Sequence, residues 1–412
     1  MHTEHEVAEV VGAWFATAWD PDLSLAVWRE RLVDSGWAVP SWSSQWYGRD
    51  LPAWADRVAH HTIRDLGGVA VPLGVGMALA APTMYDHGSD ELNGRYLRRT
   101  VTGELSWCQL FSEPGAGSDL AGLQTTAVRD GDEWVVNGQK VWNTSAQHAD
   151  MAILVARTDW DAVKHAGLTY FLLDMRQPGI EVRPIRQMNE YSSFNEVFLS
   201  DARIPNANVV GQVGGGWAVA RGTLAHERHF AARGGRVIDP AAAGRVVDEA
   251  RAEAAEYNET YVWYPQRQGR VDLLAERASA RGVAADPVLR QEITAVRAAH
   301  RAAELTAARA KANRELGRPP GSEGSIGKLA SSGIARAGNH AHTRIAGADG
   351  MLRAGSDPAT ALVAEILVST PAQSIAGGSD EILHNIIGEN VLGLPKEPAV
   401  DRGIPFRDVG RS

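Results

Sequence analysis

Residues 107–144 read WCQLFSEPGAGSDLAGLQTTAVRDGDEWVVNGQKVWNT, and this stretch decides the fold. Asp130-Gly131 and Asn137-Gly138 are dipeptides typical of two-residue turns between antiparallel strands. We therefore predict three antiparallel strands, at residues 125–128, 133–136 and 139–142. The loop of residues 112–119 is then held against a sheet.

This loop and the last predicted strand carry groups suited to a planar ligand. The glycines of the loop let backbone N–H groups approach a ligand closely, and Ser112 and Ser118 add hydroxyl donors. Trp142 supplies a flat aromatic face, and Thr144 supplies another hydroxyl close by. A planar heterocycle with several hydrogen-bonding groups would suit such a wall.

Composition restricts the class of protein. A chain of 412 residues is too long for one ordinary core, so we expect two or three subdomains. The net charge of -9 argues against a nucleic-acid partner, and the single cysteine excludes a disulfide framework. The acidic start MHTEHEVAEV is not a secretory signal, and no apolar run reaches the roughly 20 residues that cross a bilayer. We expect a cytoplasmic protein with no membrane partner.

The order of elements predicts an α-β-α layout. Helical patterns run to about residue 103 and resume at residue 217. Between them, strands predicted at residues 151–155, 168–173 and 195–199 indicate a small barrel or sandwich. Near the C-terminus, Gly377-Gly378-Ser379 precedes a helix and leaves free N–H donors suited to an anion or a flavin ring.

Motifs of one protein family occur in order along almost the whole chain. They are Pro82-Thr83 with His87-Gly88, WCQLFSEPGAGSD at 107–119, NGQKVWNTSAQHAD at 137–150, DARIPNANVVG at 201–211 and GGSDEILHNIIGENVLGLP at 377–395. Together with the α-β-α layout, these motifs resemble those of the acyl-CoA dehydrogenase family. The resemblance implies an α+β fold with FAD between the last two of three domains. These are an N-terminal helical domain at residues 1–103, a central small β-barrel at 104–212 and a C-terminal four-helix bundle at 213–412.

The resemblance also implies which residues bind FAD and substrate. The family positions that contact FAD are matched here by Phe111, Ser112, Gly117 and Ser118 at the pyrimidine edge of the isoalloxazine ring, Trp142 beside the ring, Thr144 near N5, and Ser379 and Glu381 on the C-terminal domain. Ser118 and Arg228 are further expected to contact the substrate.

The implied reaction is the α,β-dehydrogenation of an acyl-CoA thioester to the trans-2-enoyl-CoA, as in the β-oxidation of fatty acids or other lipids. A carboxylate removes the α-proton while the β-hydrogen leaves as hydride to flavin N5. The thioester carbonyl must accept hydrogen bonds that strengthen as enolate charge develops. Desolvation by the bound substrate would raise the pKa of the carboxylate towards neutrality.

The family places its base at one of two positions. One lies just before the glycine of the C-terminal motif, where this chain has Gly377, which cannot take a proton. The other belongs to a Glu-Arg pair on a helix, matched here by Glu227 and Arg228. We predict that Glu227 is the base and that Arg228 positions the thioester or the cofactor. The alternative is a solvated pair of helix charges.

Two segments depart from the family pattern. Homotetrameric members carry Arg-x-x-Phe-Gly, which reaches the FAD of a neighbouring subunit, but residues 264–269 here read YPQRQG. The family's Gln-x-x-Gly-Gly-x-Gly appears as RIAGADG at residues 344–350. The segment ERASARGVAADPVLRQE resembles actinobacterial-type members, some of which pair two unlike subunits. The chain is therefore expected to form either a homo-oligomer or a heterotetramer with a related subunit.

Several functional alternatives stay open. An electron-transfer flavoprotein is the expected acceptor, but a flavin-dependent acyl-CoA oxidase or a non-catalytic partner subunit has the same fold. Linear, branched and ring-bearing acyl groups all remain possible. His226 and His229 are not spaced as His-Glu-x-x-His and lack an evident third ligand, so no metal site is expected. His340 and His342 are expected on a surface.

Overall fold

The computed structural model describes residues 3–231, 238–316, 318, 321, 323–352, 358–398, 401 and 403–409. The chain forms two compact units. The first comprises Met1–Ile185, Ser192–Thr260 and Val400–Ser412, and the second comprises Arg186–Tyr191 and Tyr261–Ala399. The sequence predicted three domains, and that division remains a prediction.

The first unit begins with the predicted helical region. Its helices are α1 (Glu4–Ala18), α2 (Leu25–Asp34), α3 (Trp54–Asp65), α4 (Ala81–His87) and α5 (Asp90–Val101). Val7, Val11 and Phe15 recur every four residues of α1 and are buried, as expected for a helix with one apolar face. A π-helix, Gly76–Ala80, leads directly into α4. Such wide turns occur frequently at functional sites.

Eight strands follow and form one connected sheet. They are β1 (Trp107–Leu110), β2 (Thr126–Asp130), β3 (Glu133–Thr144), β4 (Met151–Arg157), β5 (Leu168–Asp174), β6 (Ile180–Ile185), β7 (Phe194–Pro205) and β8 (Val209–Val210). Their order is β6-β7-β3-β2-β4-β5-β8, with β1 parallel to β4. The strands predicted at residues 151–155, 168–173 and 195–199 lie within β4, β5 and β7.

One of the two predicted turns is wrong. The hairpin at Asp130-Gly131 forms, with Asp130 opposite Glu133. Asn137-Gly138 instead lies inside β3, which continues past it and changes register against β7 between Val136 and Gly138. A Cβ on Gly138 would lie 2.8 Å from Cα of Thr125, so this position requires glycine for a close backbone approach and not for a turn.

The remaining helices complete both units. The first unit contains α6 (Gly216–Ala231) and α7 (Arg245–Glu259), and the second contains α8 (Tyr264–Arg267), α9 (Leu274–Ala280), α10 (Pro287–Glu315), α11 (Glu323–Ala346), α12 (Pro358–Ser369), α13 (Pro371–Ile375) and α14 (Asp380–Asn390). α11 packs against α10, α12 and α14. Among the described helices, none has both the length and the apolar character needed to cross a bilayer.

The surface position predicted for His342 is wrong, whereas His340 is exposed. His342 lies on α11 and is fully buried. Its Nδ1 lies 2.8 Å from Arg277 Nη1, and its Nε2 lies 3.0 Å from the Arg270 carbonyl oxygen. Because a guanidinium can only donate and a carbonyl can only accept, the ring is the neutral tautomer with its proton on Nε2.

Candidate active site

The loop after β1 closes on itself in a tight turn. The N–H of Glu113 donates to the Ala116 carbonyl at 3.0 Å, and the N–H of Ala116 donates back at 3.1 Å. Beyond this turn, Gly117 and Ser118 are exposed. A Cβ on Gly117 would meet no heavy atom within 4 Å, so this backbone borders open space. The loop therefore presents its glycine backbone and the Ser118 hydroxyl outward.

A buried ion pair holds this loop. Sequence analysis did not predict it. Lys140 Nζ, on β3, donates to Glu113 Oε1 at 2.9 Å, to the Phe111 carbonyl at 3.0 Å and to the Val155 carbonyl at 2.8 Å. Glu113 also accepts backbone N–H groups from residues 124 and 125. Burial acts to raise the pKa of Glu113, but Lys140 and these hydrogen bonds hold that pKa below its usual value. The pair therefore ties the start of the turn to strand β4 and to the backbone of residues 124 and 125.

Trp142 stands out of β3 at an irregular position. The register of β3 against β7 shifts between Val141 and Asn143, and Trp142 has a φ of 66°. Such a φ is rare for a bulky residue and is found at sites where function demands it. The indole is 58% exposed and packs edge-on against Phe194, with ring centroids 5.9 Å apart. An open aromatic face is the result.

Two of the predicted cofactor residues of the first unit, Ser112 and Trp142, lie on adjacent segments of the chain's β region. The Val141 N–H donates to the Ser112 carbonyl at 2.9 Å, which places Ser112 beside the strand that carries Trp142. Thr144, at the end of β3, is half-buried, as is Ser112, while Phe111 is buried. An indole face, hydroxyls and an unobstructed glycine backbone together fit a flat ring with a hydrogen-bonding edge, as in FAD.

Helix α6 carries the predicted base. Glu227 is half-buried near the end of this helix, and the side chain of Arg228 lies outside the described residues. α6 packs against α4, β5 and the π-helix. Its neighbour His226 places Nε2 2.8 Å from Oδ2 of Asp86 on α4. The helix that bears Glu227 is thus fixed by side chains beside the carboxylate.

The start of α14 carries the two predicted cofactor residues of the second unit. Ser379 is the N-cap, and its hydroxyl oxygen accepts the Ile382 N–H at 3.4 Å. Gly377 and Gly378 have φ values of 71° and 95°, which glycine adopts without strain. The backbone N–H of Glu381 and the Ser379 hydroxyl hold the pKa of the exposed Glu381 carboxyl below its usual value. This helix start favours negative charge.

The next question is whether side chains that could bind a metal ion lie close together in the part of the chain that the structure describes. It contains no cluster of three His, Cys, Asp or Glu side chains that could hold an ion. The donors of the wall are hydroxyl and backbone groups, which suit an organic cofactor.

Three family models match successive parts of the chain. They describe the acyl-CoA dehydrogenase N-terminal domain, matched over residues 2–104, the middle domain over 108–202 and the C-terminal domain over 268–392. The acyl-CoA dehydrogenase IpdE1 of Mycobacterium tuberculosis is 34% identical over 90% of this chain and 88% of its own length. FadE34 of the same organism is 36% identical over 89% of this chain, which spans 46% of the length of FadE34.

Solved structures of the same fold extend this result. One chain of the ChsE4–ChsE5 complex from Mycobacterium tuberculosis matches with a TM-score of 0.64 and 25% identity, over 96% of this chain and 99% of that one. PigA, solved with FAD and proline, has the same fold at a TM-score of 0.61 and 21% identity, over 96% of this chain and 98% of that one. The chain therefore belongs to the acyl-CoA dehydrogenase family of FAD-dependent oxidoreductases.

Proposed function

We propose that this protein converts an acyl-CoA thioester to the trans-2-enoyl-CoA, with Glu227 as the base that removes the α-proton. Two facts about the chain support the proposal. Glu227 is a half-buried carboxylate, and the alternative base position of the family holds a glycine, Gly377, which cannot accept a proton. A partly buried carboxylate on a fixed helix is suited to proton transfer, because bound substrate can desolvate it further.

The other residues would bind and orient the reactants. Bound FAD supplies the acceptor for the hydride that leaves the β-carbon. The Trp142 indole would lie beside the flavin ring, while Ser112, Ser118 and Thr144 would donate hydrogen bonds to its edge. Ser379 and Glu381 would meet the cofactor from α14, and Arg228 would position the thioester. Glu227 would hold the α-proton once the substrate has excluded water.

A related partner subunit is part of the proposal. The YPQRQG and RIAGADG segments lack the family residues that serve a neighbour's FAD. The ChsE4–ChsE5 structure is a complex of two different chains with this fold. We therefore favour assembly with a related chain over a homotetramer, with an electron-transfer flavoprotein as the electron acceptor.

The test begins with the protein and any subunit that co-purifies with it. Bound FAD is quantified by absorbance, and turnover with an artificial acceptor is measured on linear, branched and ring-bearing acyl-CoAs. Oxygen consumption in parallel separates an oxidase from a dehydrogenase.

Two variants then test the base. Glu227→Gln should retain FAD and lose turnover. Glu256→Gln removes the same charge from an exposed position on α7 and should behave as wild type. Wild-type turnover by Glu227→Gln would refute the base, and failure of the wild type with every acyl-CoA, even with its partner, would support a non-catalytic subunit.

A further inference from the structure

A buried hydroxyl cluster lies one helical turn before Glu227. Thr223, on α6, is fully buried, and its Oγ1 lies 2.9 Å from Thr83 Oγ1 and 3.1 Å from the Tyr170 hydroxyl. The same hydroxyl donates to the Val219 carbonyl at 3.1 Å. Three structural elements therefore meet at one oxygen atom: α4 through Thr83, β5 through Tyr170 and α6 through Thr223.

The Thr223 hydroxyl contacts three oxygen atoms at hydrogen-bond distance. A hydroxyl has one proton and two acceptor positions. The Val219 carbonyl can only accept, whereas in the contacts of Thr223 with Thr83 and with Tyr170 either oxygen can be the donor. Burial raises the pKa of Tyr170, which keeps its proton in place. Removal of the Thr223 hydroxyl would leave the buried hydroxyls of Thr83 and Tyr170 without this partner.

A second contact repeats the link between α6 and α4 one turn further on. Thr83 pairs with Thr223, and Asp86 pairs with His226, so the partners advance by three residues on both helices. The two helices therefore run in the same direction along this contact. Glu227 follows His226 directly and lies four residues after Thr223, on the same side of the helix as Thr223.

Tyr170 extends the cluster to the cofactor wall. Its ring packs edge-on against Phe111, with centroids 5.8 Å apart and planes at 86°. The hydroxyl of the same residue holds Thr223. One side chain thus contacts both Phe111, at the start of the loop after β1, and the helix that carries the proposed base.

We propose that the Thr83–Thr223–Tyr170 hydroxyl cluster positions Glu227 relative to the predicted FAD-binding residues of the loop after β1, with Thr223 as the positioning residue. This inference rests on the proposed role of Glu227. It also gives a function to Thr83 of the Pro82-Thr83 motif. Proton transfer requires close placement of the carboxylate, and a displacement of about 1 Å can cost roughly a hundredfold in rate.

The decisive measurement is proton exchange without redox chemistry. The probe is the 3-thia analogue of the acyl-CoA that the wild type turns over, in which sulfur replaces the β-carbon so that no hydride can leave. In D2O, Glu227 accepts the α-proton, exchanges it with solvent and returns a deuteron to the same carbon. Mass spectrometry reports the rate, while absorbance and thermal unfolding report FAD content and folding.

Thr223→Val should lower the exchange rate and kcat by roughly tenfold to a hundredfold, with KM and FAD content near wild type. Thr223→Ser keeps the hydroxyl and should restore the rate. The matched control is Thr100→Val, because Thr100 is equally buried but bonds Trp107 and Tyr96 and no residue of α6. If Thr223→Val fails to fold or loses FAD, Tyr170→Phe removes one hydroxyl of the cluster, keeps the ring against Phe111 and should show the same selective loss.

Glu227→Gln separates the two claims. If Glu227→Gln stops exchange while the cluster variants exchange at the wild-type rate, the positioning role is wrong and the base assignment stands. The hydroxyl role is also wrong if Thr223→Ser is as slow as Thr223→Val. If Glu227→Gln exchanges at the wild-type rate, the proposed function itself fails.

Discussion

The Nζ atom of Lys140 lies 2.9 Å from Oε1 of Glu113, and both side chains are buried. The two residues are 27 positions apart in the chain. Since Lys140 Nζ also donates to Val155 of β4, one ammonium group joins the loop after β1 to two strands. This buried cation therefore helps to fix the start of the loop against the sheet.

Lys140→Met should lower the free energy of unfolding by about 3–5 kcal/mol, because it leaves the Glu113 carboxylate buried without its counter-charge. Urea denaturation of the purified protein measures this loss. The double variant Lys140→Met with Glu113→Gln should lose less than the sum of the two single variants, since the unpaired charge is gone. Additive losses would show that the two side chains do not interact.

His342 should make stability depend on pH. Burial lowers its pKa from 6.5 to about 4, so the imidazole binds a proton less readily in the folded protein than in the unfolded chain. The buried neutral imidazole therefore contributes its full share to the free energy of unfolding above pH 6.5, and this share is lost as the pH falls from 6.5 through about 4. The full effect is about 3 kcal/mol, at roughly 1.4 kcal/mol per pKa unit.

The check is urea denaturation of the wild type and His342→Gln across this pH range. The glutamine does not titrate, so its stability should fall less steeply with acid. Parallel curves for the two proteins would contradict the burial effect.

Gly138→Ala should destabilise the protein by about 1–3 kcal/mol, because the new Cβ would lie 2.4 Å from Oγ1 and 2.8 Å from Cα of Thr125. The backbone atom cannot move away as a side chain could. Gly94→Ala, in the interior of α5 with open space around it, should instead add about 0.5–1 kcal/mol. Thermal and urea unfolding measure both changes, and equal stability of Gly138→Ala and wild type would disprove the close approach.

Gly117→Ala should leave folding unchanged and weaken FAD binding. The added methyl meets no protein atom within 4 Å, so only a ligand that approaches the backbone would contact it. Gly115→Ala is the control, because its Cβ also meets open space. Flavin fluorescence during titration of the apoprotein gives the affinity, and a wild-type dissociation constant for Gly117→Ala would remove this glycine from the FAD site.

Local signals in the sequence predicted local structure well. The hairpin at Asp130-Gly131 forms, and the helix predicted after Gly377-Gly378-Ser379 begins at Asp380. Each of these features depends on residues within a few positions of each other. Motif resemblance additionally gave the family, and with it the expected cofactor residues.

Features that depend on distant partners could not be predicted. Asn137-Gly138 has the composition of a turn, but pairing of β3 with β7 extends the strand through it. The burial of Lys140 depends on strands β3 and β4 and on the loop after β1, and that of His342 depends on Arg277 and Arg270. No spacing rule within one element indicates such contacts.

The proposed activity depends on removal of the α-proton by the Glu227 carboxylate. The most direct measurement mixes FAD-loaded Glu227→Gln anaerobically with an acyl-CoA that reduces the wild type, and follows the loss of the yellow absorbance of oxidised flavin. Removal of a general base costs roughly 10²–10⁴ in rate, so the variant should bind FAD but bleach slower by that factor. Bleaching of Glu227→Gln at the wild-type rate would show that Glu227 is not the base.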